Sequence, residues 1–156
     1  MSDVFDYYKS SYAMQAADYP YNSAFPMVGD ECKYDEKKAT TCEVDDYTYA
    51  DSGDISMMKL ALSHQPIAAA LDASMISFMS YSSGILDDDH HCSKTALNHS
   101  VLLVGYGHDY DGNEYWIGKN YWGTNWGEHG YFRIAMTVGD AGICGIQSNA
   151  VWPYLK

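Results

Sequence analysis

The sequence predicts an α+β fold: an antiparallel sheet or open barrel with short helices at its side. Three observations lead there. From Asn98 onward, short apolar runs alternate with turn signals. The chain holds 15 Tyr and 4 Trp, residue types that favour sheets and half-buried surfaces. Helical spacing is confined to brief stretches before Tyr81. A length of 156 residues suits one domain, and 47% hydrophobic against 19% charged residues allows a packed core.

Val4, Tyr8 and Tyr12 share a helical face, so the chain opens with a helix. Tyr19-Pro20-Tyr21 and Phe25-Pro26 read as extended or turning backbone. Residues 29–46 are charged and loop-like, and carry Cys32 and Cys42. Ser52-Gly53-Asp54 starts a helix with Asp54 as N-cap; Ile55, Met58 and Leu62 line one face and Pro66 stops it. Ile67 to Leu71 is a short apolar strand and Ser74 to Tyr81 a second short helix. Val101 to Tyr106 and Glu114 to Lys119 form a hairpin around a turn at Asp109 to Asn113. Gly130 to Met136 and Ala150 to Tyr154 are the last strands. Gly105-Tyr106-Gly107 lacks the third glycine and following helix of a dinucleotide loop and reads as a close-packed strand end.

Lys+Arg number 9 against 21 Asp+Glu, a formal net charge of -12. That balance excludes a nucleic-acid binder and a polybasic membrane-surface protein. The acidity is concentrated in residues 1–90, which fits a solvated, repulsive surface or an acid-adapted compartment. The longest apolar runs, Ile67 to Leu71 and Val101 to Val104, fall far short of the ~20 residues that span a bilayer. Ser2 to Tyr12 lacks the basic-then-apolar order of a signal peptide. Cys32, Cys42, Cys92 and Cys144 form no CxxC pair and no zinc spacing; their even number points to disulfides and an oxidising compartment.

Three segments carry the chemistry. Asn98-His99-Ser100 opens a hydrophobic strand, Trp116 to Gly123 ends the paired strand, and Asn125 to Tyr131 follows directly. A hairpin places His99 and Asn120 side by side at one sheet end. A His that donates one ring nitrogen to an Asn oxygen is held in one tautomer and one plane. It can then serve a nucleophile across a cleft, as base or as partner of a thiolate. Trp122, two residues beyond Asn120, is placed to cover the His–Asn hydrogen bond.

The segments Leu97 to Gly107 and Lys119 to Tyr131 resemble the His and Asn signatures of the papain-like cysteine peptidases of the cathepsin L and H type. Tyr19-Pro20-Tyr21, Gln65-Pro66-Ile67, Ser83-Gly84-Ile85 and Ile143-Cys144-Gly145-Ile146 occur in the family's order and spacing. The resemblance covers nearly the whole chain. It implies that residues 1–156 are the C-terminal, right-hand, open-barrel part of a papain-like fold, an antiparallel sheet with short flanking helices. It implies that His99 is catalytic, Asn120 orients it, and Trp122 and Trp126 support the pair. By similarity, Ala70, Ser100 and Asn149 line a substrate pocket and Asn98 presents its carbonyl to a bound peptide. An Ala70 wall suits a bulky apolar side chain, while Asn149 at the floor suits a polar one. The resemblance also pairs Cys92 with Cys144. Cys32 matches a family Cys whose partner lies upstream, and Cys42 is extra, so a local Cys32–Cys42 bridge stays open.

The family's nucleophile segment, Cys-Gly-Ser-Cys-Trp, does not occur in these residues. A nucleophile-to-His spacing of ~130–150 residues places it roughly 30–50 residues before Met1. The chain is therefore expected to supply the His and Asn of a cysteine endopeptidase, to act on protein or peptide substrates, and to be inactive alone. It needs the N-terminal half of the fold and no cofactor, metal, nucleic acid or membrane. Lysosomal, vacuolar or secreted location follows by resemblance. The alternatives are a catalytically silent binding or regulatory homologue, and a split enzyme with a second chain. Tyr121 stands where the family's Asn-Ser-Trp-Gly motif has Ser, and Ser100 where it has Ala. His90-His91-Cys92 with His99 beside Asp87-Asp88-Asp89 is a weak zinc signal, because adjacent strand residues point to opposite faces. Asn98-His99-Ser100 fits the N-glycosylation sequon, but packing of Asn98 beneath His99 argues against a glycan. Without its other half the chain exposes apolar surface and is expected to dimerise or aggregate.

Overall fold

A computed structural model describes residues 1–21, 29 and 31–156; the Phe25-Pro26 expectation lies outside them. The elements in chain order are α1 (Ser2–Tyr8), β1 (Val44–Tyr49), α2 (Ile55–Leu62), β2 (Ile67–Leu71), α3 (Ile76–Met79), β3 (Ile85–Leu86), β4 (His99–His108), β5 (Glu114–Lys119), β6 (Tyr131–Ala135) and β7 (Ala150–Leu155). Single 3-10 turns lie at Glu36–Lys38 and Ile143–Gly145. The chain packs as two compact units, residues 48–152 and residues 2–47 with 153–156.

The strands form one open, seven-stranded sheet in the order β1-β7-β2-β4-β5-β6-β3. β2 runs antiparallel to both β4 and β7, and β5 antiparallel to β4 and β6. The short β3 is parallel to β6, which departs from the expected antiparallel pattern. β2 reads Ile-Ala-Ala-Ala-Leu without alternation because it is central to the sheet. β4 alternates buried and exposed residues from His99 and shifts register between Leu103 and Gly105. Gly105 and Gly107 thus sit inside a strand, and a Cβ at Gly107 would come 2.9 Å from the Tyr115 hydroxyl.

α2 starts where its cap predicts: Asp54 Oδ1 accepts from Met57 N at 2.9 Å. Met58 and Ala61 face the core, with Ile55 and Leu62 packed at its margin. α3 is shorter than expected, Ile76–Met79, because its N-cap position is Met75, which has no side chain to cap with. It buries Phe78 completely. Trp116, Phe132, Leu103, Ile134 and Ile67 complete the centre of the core. Gln147 is buried among them and fully bonded. Its Oε1 accepts from Trp116 Nε1 and Thr137 N, both at 3.1 Å, and its Nε2 donates to the carbonyls of Thr137 and Asp140.

The loop expected over residues 29–46 gives way to β1 from Val44. Its Asp45 and Asp46 look like loop residues, but β1 is an edge strand and edge strands carry exposed charge. In the smaller unit α1 buries no residue, so the face of Val4, Tyr8 and Tyr12 is not a core face there, and Tyr12 lies past the helix end. That unit is held by Lys9 Nζ on Asp46 at 2.8 Å, by the Tyr47 hydroxyl donating to Asp6 at 3.1 Å, and by an ion pair of Lys156 with Glu43.

Candidate active site

His99 is the first residue of β4 and pairs with Leu71 at the end of β2. Asn120 follows β5 directly, and its N–H donates to Gly130 O at 2.9 Å. The β4–β5 hairpin pairs Leu102 with Lys119 and so carries Asn120 toward the start of β4. His99 Nε2 lies 2.9 Å from Asn120 Oδ1, with both residues buried, at 9% and 6% exposure. Tyr121 N donates to the same Oδ1 at 2.8 Å. A backbone N–H can only donate, so the shared atom is the amide oxygen. His99 Nε2 must then carry a hydrogen, and in the neutral ring the lone pair is left on Nδ1. The geometry therefore fixes which nitrogen is free to exchange a proton with a reacting group.

Among the described residues three rings contact His99: Trp122 at 4.9 Å between centroids, Tyr121 at 5.0 Å and Phe78 at 5.9 Å. Trp126 packs behind Trp122 at 5.3 Å, and its Nε1 donates to Met79 O at 3.0 Å. Trp122 thus lies against His99 itself, and Trp126 reaches the pair only through Trp122 and Phe78. Phe78 escaped the sequence reading. It sits in the middle of the group, also touching Trp122, Trp126 and Phe132, and its one signal is that it is the aromatic residue of α3. The segment after Asn120 is held by a bidentate pair, Arg133 Nε and Nη2 on Glu128, whose carboxylate also accepts from Gly84 N at 3.1 Å. The Arg133 guanidinium keeps the Glu128 carboxyl below its ordinary value.

Asp72 is a second feature that the sequence did not reveal. It is 5% exposed and accepts four hydrogen bonds: Ser74 Oγ at 2.6 Å, Ser74 N at 3.0 Å, Ser93 N at 2.7 Å and Asn98 Nδ2 at 2.6 Å. Burial pushes its carboxyl up, but these donors outweigh burial and hold it at about 2. Asn98 is exposed rather than packed beneath His99, which corrects the reason given against a glycan. Its amide is instead engaged with Asp72, and its Oδ1 accepts from Ala73 N at 2.9 Å.

The other expected residues are placed as follows. Ala70 pairs with Ser100 across β2 and β4, and Ala70 N donates to Asn149 O at 3.2 Å, so the three are neighbours. Ser100 is exposed, Ala70 buried, and Asn149 Oδ1 is buried with no hydrogen-bond partner among the described residues. Cys92 and Cys144 form a disulfide across 52 residues. The local Cys32–Cys42 bridge is not formed, and both thiols are exposed. His90 and His91 lie in a turn rather than a strand, which replaces the opposite-faces argument; the bonded Cys92 offers no thiolate to a metal.

The sequence model described as papain family cysteine protease matches residues 1–154. A cathepsin L-like protein of Caenorhabditis elegans is 38% identical over 98% of this chain and 44% of its own length. Ananain of Ananas comosus is 43% identical over 70% of this chain and 31% of its own length. Among solved structures, the bromelain protease from Ananas comosus superposes with a TM-score of 0.84 at 36% identity, covering 97% of this chain and 67% of that one. Digestive procathepsin L 3 of Tenebrio molitor larval midgut gives 0.87 at 36% identity, covering 99% and 48%. The chain spans less than half the length of the curated relatives it matches. Matched along almost all of its residues and carrying the His–Asn pair under Trp122 at a sheet end, the chain belongs to the papain family of cysteine proteases.

Proposed function

We propose that this chain provides the His99–Asn120 half of a cysteine endopeptidase site, working with a thiolate contributed by protein outside its 156 residues. The observation that carries this is the buried 2.9 Å hydrogen bond from His99 Nε2 to an Asn120 oxygen fixed by Tyr121 N. In the reaction the thiolate attacks the peptide carbonyl carbon. His99, as imidazolium, passes its Nδ1 proton to the leaving amine, and the C–N bond breaks. The neutral Nδ1 then takes a proton from water as that water attacks the thioester, releasing the acid and restoring the thiolate. Asn120 keeps the ring in plane through both steps, and Trp122 and Trp126 keep water from the hydrogen bond.

Ala70, Ser100 and Asn149, neighbours across β2, β4 and the start of β7, are the proposed wall and floor of a substrate side-chain pocket, with the Asn98 carbonyl binding the peptide backbone. The Cys92–Cys144 disulfide supports a lysosomal, vacuolar or secreted location. The second reading is a catalytically silent binding or regulatory homologue that keeps the fold for protein contacts.

The test is to sequence the transcript upstream of Met1, express the full reading frame, and assay hydrolysis of a fluorogenic peptide. An open frame reaching such a segment, with kcat/KM falling at least about 10⁴-fold in His99→Ala, is the expected result. An in-frame stop just upstream, with no activity on adding a nucleophile-bearing N-terminal half, supports the second reading.

A further inference from the structure

We propose that Tyr121 is a positioning residue whose ring caps the His99–Asn120 hydrogen bond against water, a role that rests on the reading of that pair given above. His99 is 9% exposed although it lies beside the surface, so something must cover it. The rings closest to it are exposed themselves, Trp122 at 38% and Tyr121 at 65%. Trp122 is tied to the core through Phe78 and Trp126. Tyr121 is not. Among the aromatic pairs of the described residues its ring meets His99 alone, at 5.0 Å between centroids with the planes tilted by 30°.

Tyr121 acts on the pair twice. Its backbone N–H fixes Asn120 Oδ1 as the acceptor, and its ring packs at a tilt against the imidazole that donates to that oxygen. Only the second contact depends on the side chain. A serine here would keep the N–H and remove the cover. Water reaching the Nε2–H···Oδ1 bond would compete for both partners, and the ring would lose the orientation that leaves Nδ1 free for proton transfer.

The experiment measures deuterium exchange at each histidine Cε1–H by mass spectrometry on the whole chain, a readout that needs neither activity nor a monomer. The exposed His64 and His108 serve as internal references. Tyr121→Ser is expected to speed exchange at His99 about five- to tenfold and to leave the references unchanged. Tyr121→Phe, which keeps the ring, should stay within about twofold of the parent. Asn120→Ala reports on the hydrogen bond itself. If it speeds His99 exchange while Tyr121→Ser does not, the cap is overturned and the pair stands. If neither does, the proposed function falls with it. If Tyr121→Phe matches Tyr121→Ser, the ring is not what covers His99 and the proposal is overturned.

Discussion

Asp72 and Asn120 show two ways in which the state of a buried polar side chain can be decided by its donors. At Asn120 the donors are a backbone N–H and an imidazole, and they fix a tautomer. At Asp72 there are four, and they fix a charge. The His99–Asn120 pair was legible because both residues sit in long, distinctive local segments. Asp72 was not, because its donors come from Ser74, Ser93 and Asn98, which only the folded backbone gathers. A carboxyl held at about 2 instead of 3.8 binds its proton less tightly in the folded state. Its contribution, about 2 kcal/mol, is complete above pH 4 and is lost as pH falls through 2. Asp72→Asn should therefore lower the melting temperature most at neutral pH. The gap to the parent should close below pH 4; a gap independent of pH would contradict the assignment.

Among the elements, β2 matched its expected bounds and β5 did as well, because apolar runs and a turn of Asp and Gly mark their ends. β1 was missed because an edge strand tolerates acidic residues, and β3 because two residues carry no period. α3 is a single turn, too short to be stable alone, and holds its place through Phe78. Phe78→Ala should cost about 3–5 kcal/mol and loosen Trp122 and Trp126 together, seen as a red shift in tryptophan emission. β5 and β6 approach closely at Gly118, where a Cβ would overlap the Phe132 ring. Gly118→Ala should destabilise by about 1–3 kcal/mol in a denaturant titration, and pairing it with Phe132→Leu should recover part of that.

Across the whole molecule, the Cys92–Cys144 bridge joins the stretch before β4 to the 3-10 turn before β7, and Asp72 N donates to Cys144 O at 2.9 Å beside it. Closing a loop of this length stabilises by about 4 kcal/mol on the chain-entropy argument. Reduction should therefore lower the unfolding midpoint markedly, whereas alkylating Cys32 and Cys42 in the oxidised protein should not. The smaller unit presents a cavity of about 400 Å³ lined mainly by Tyr7, Tyr8, Tyr12, Tyr19 and Tyr34, and α1 carries no buried side chain. Exposed aromatic surface of this kind favours self-association. The isolated chain should bind a hydrophobic dye and scatter light as a dimer or larger, and a clean monomer without dye binding would refute this.

The sequence by itself determined the α+β class, most strand positions and the segments that carry His99, Asn120 and Trp122, and through them the family resemblance, which in turn implied the Cys92–Cys144 pairing. The class, the strands and the segments rest on short-range patterns: alternation, turn residues, caps, and motifs contained in one segment. The tertiary structure decided what needs several segments at once. It set the parallel β3–β6 pairing, the four donors around Asp72, the Phe78 ring beneath His99, and the free state of Cys32 and Cys42. It also brought the Tyr121 ring against His99, where the bend after β5 meets the start of β4 at one sheet end and no local pattern records the distance between them.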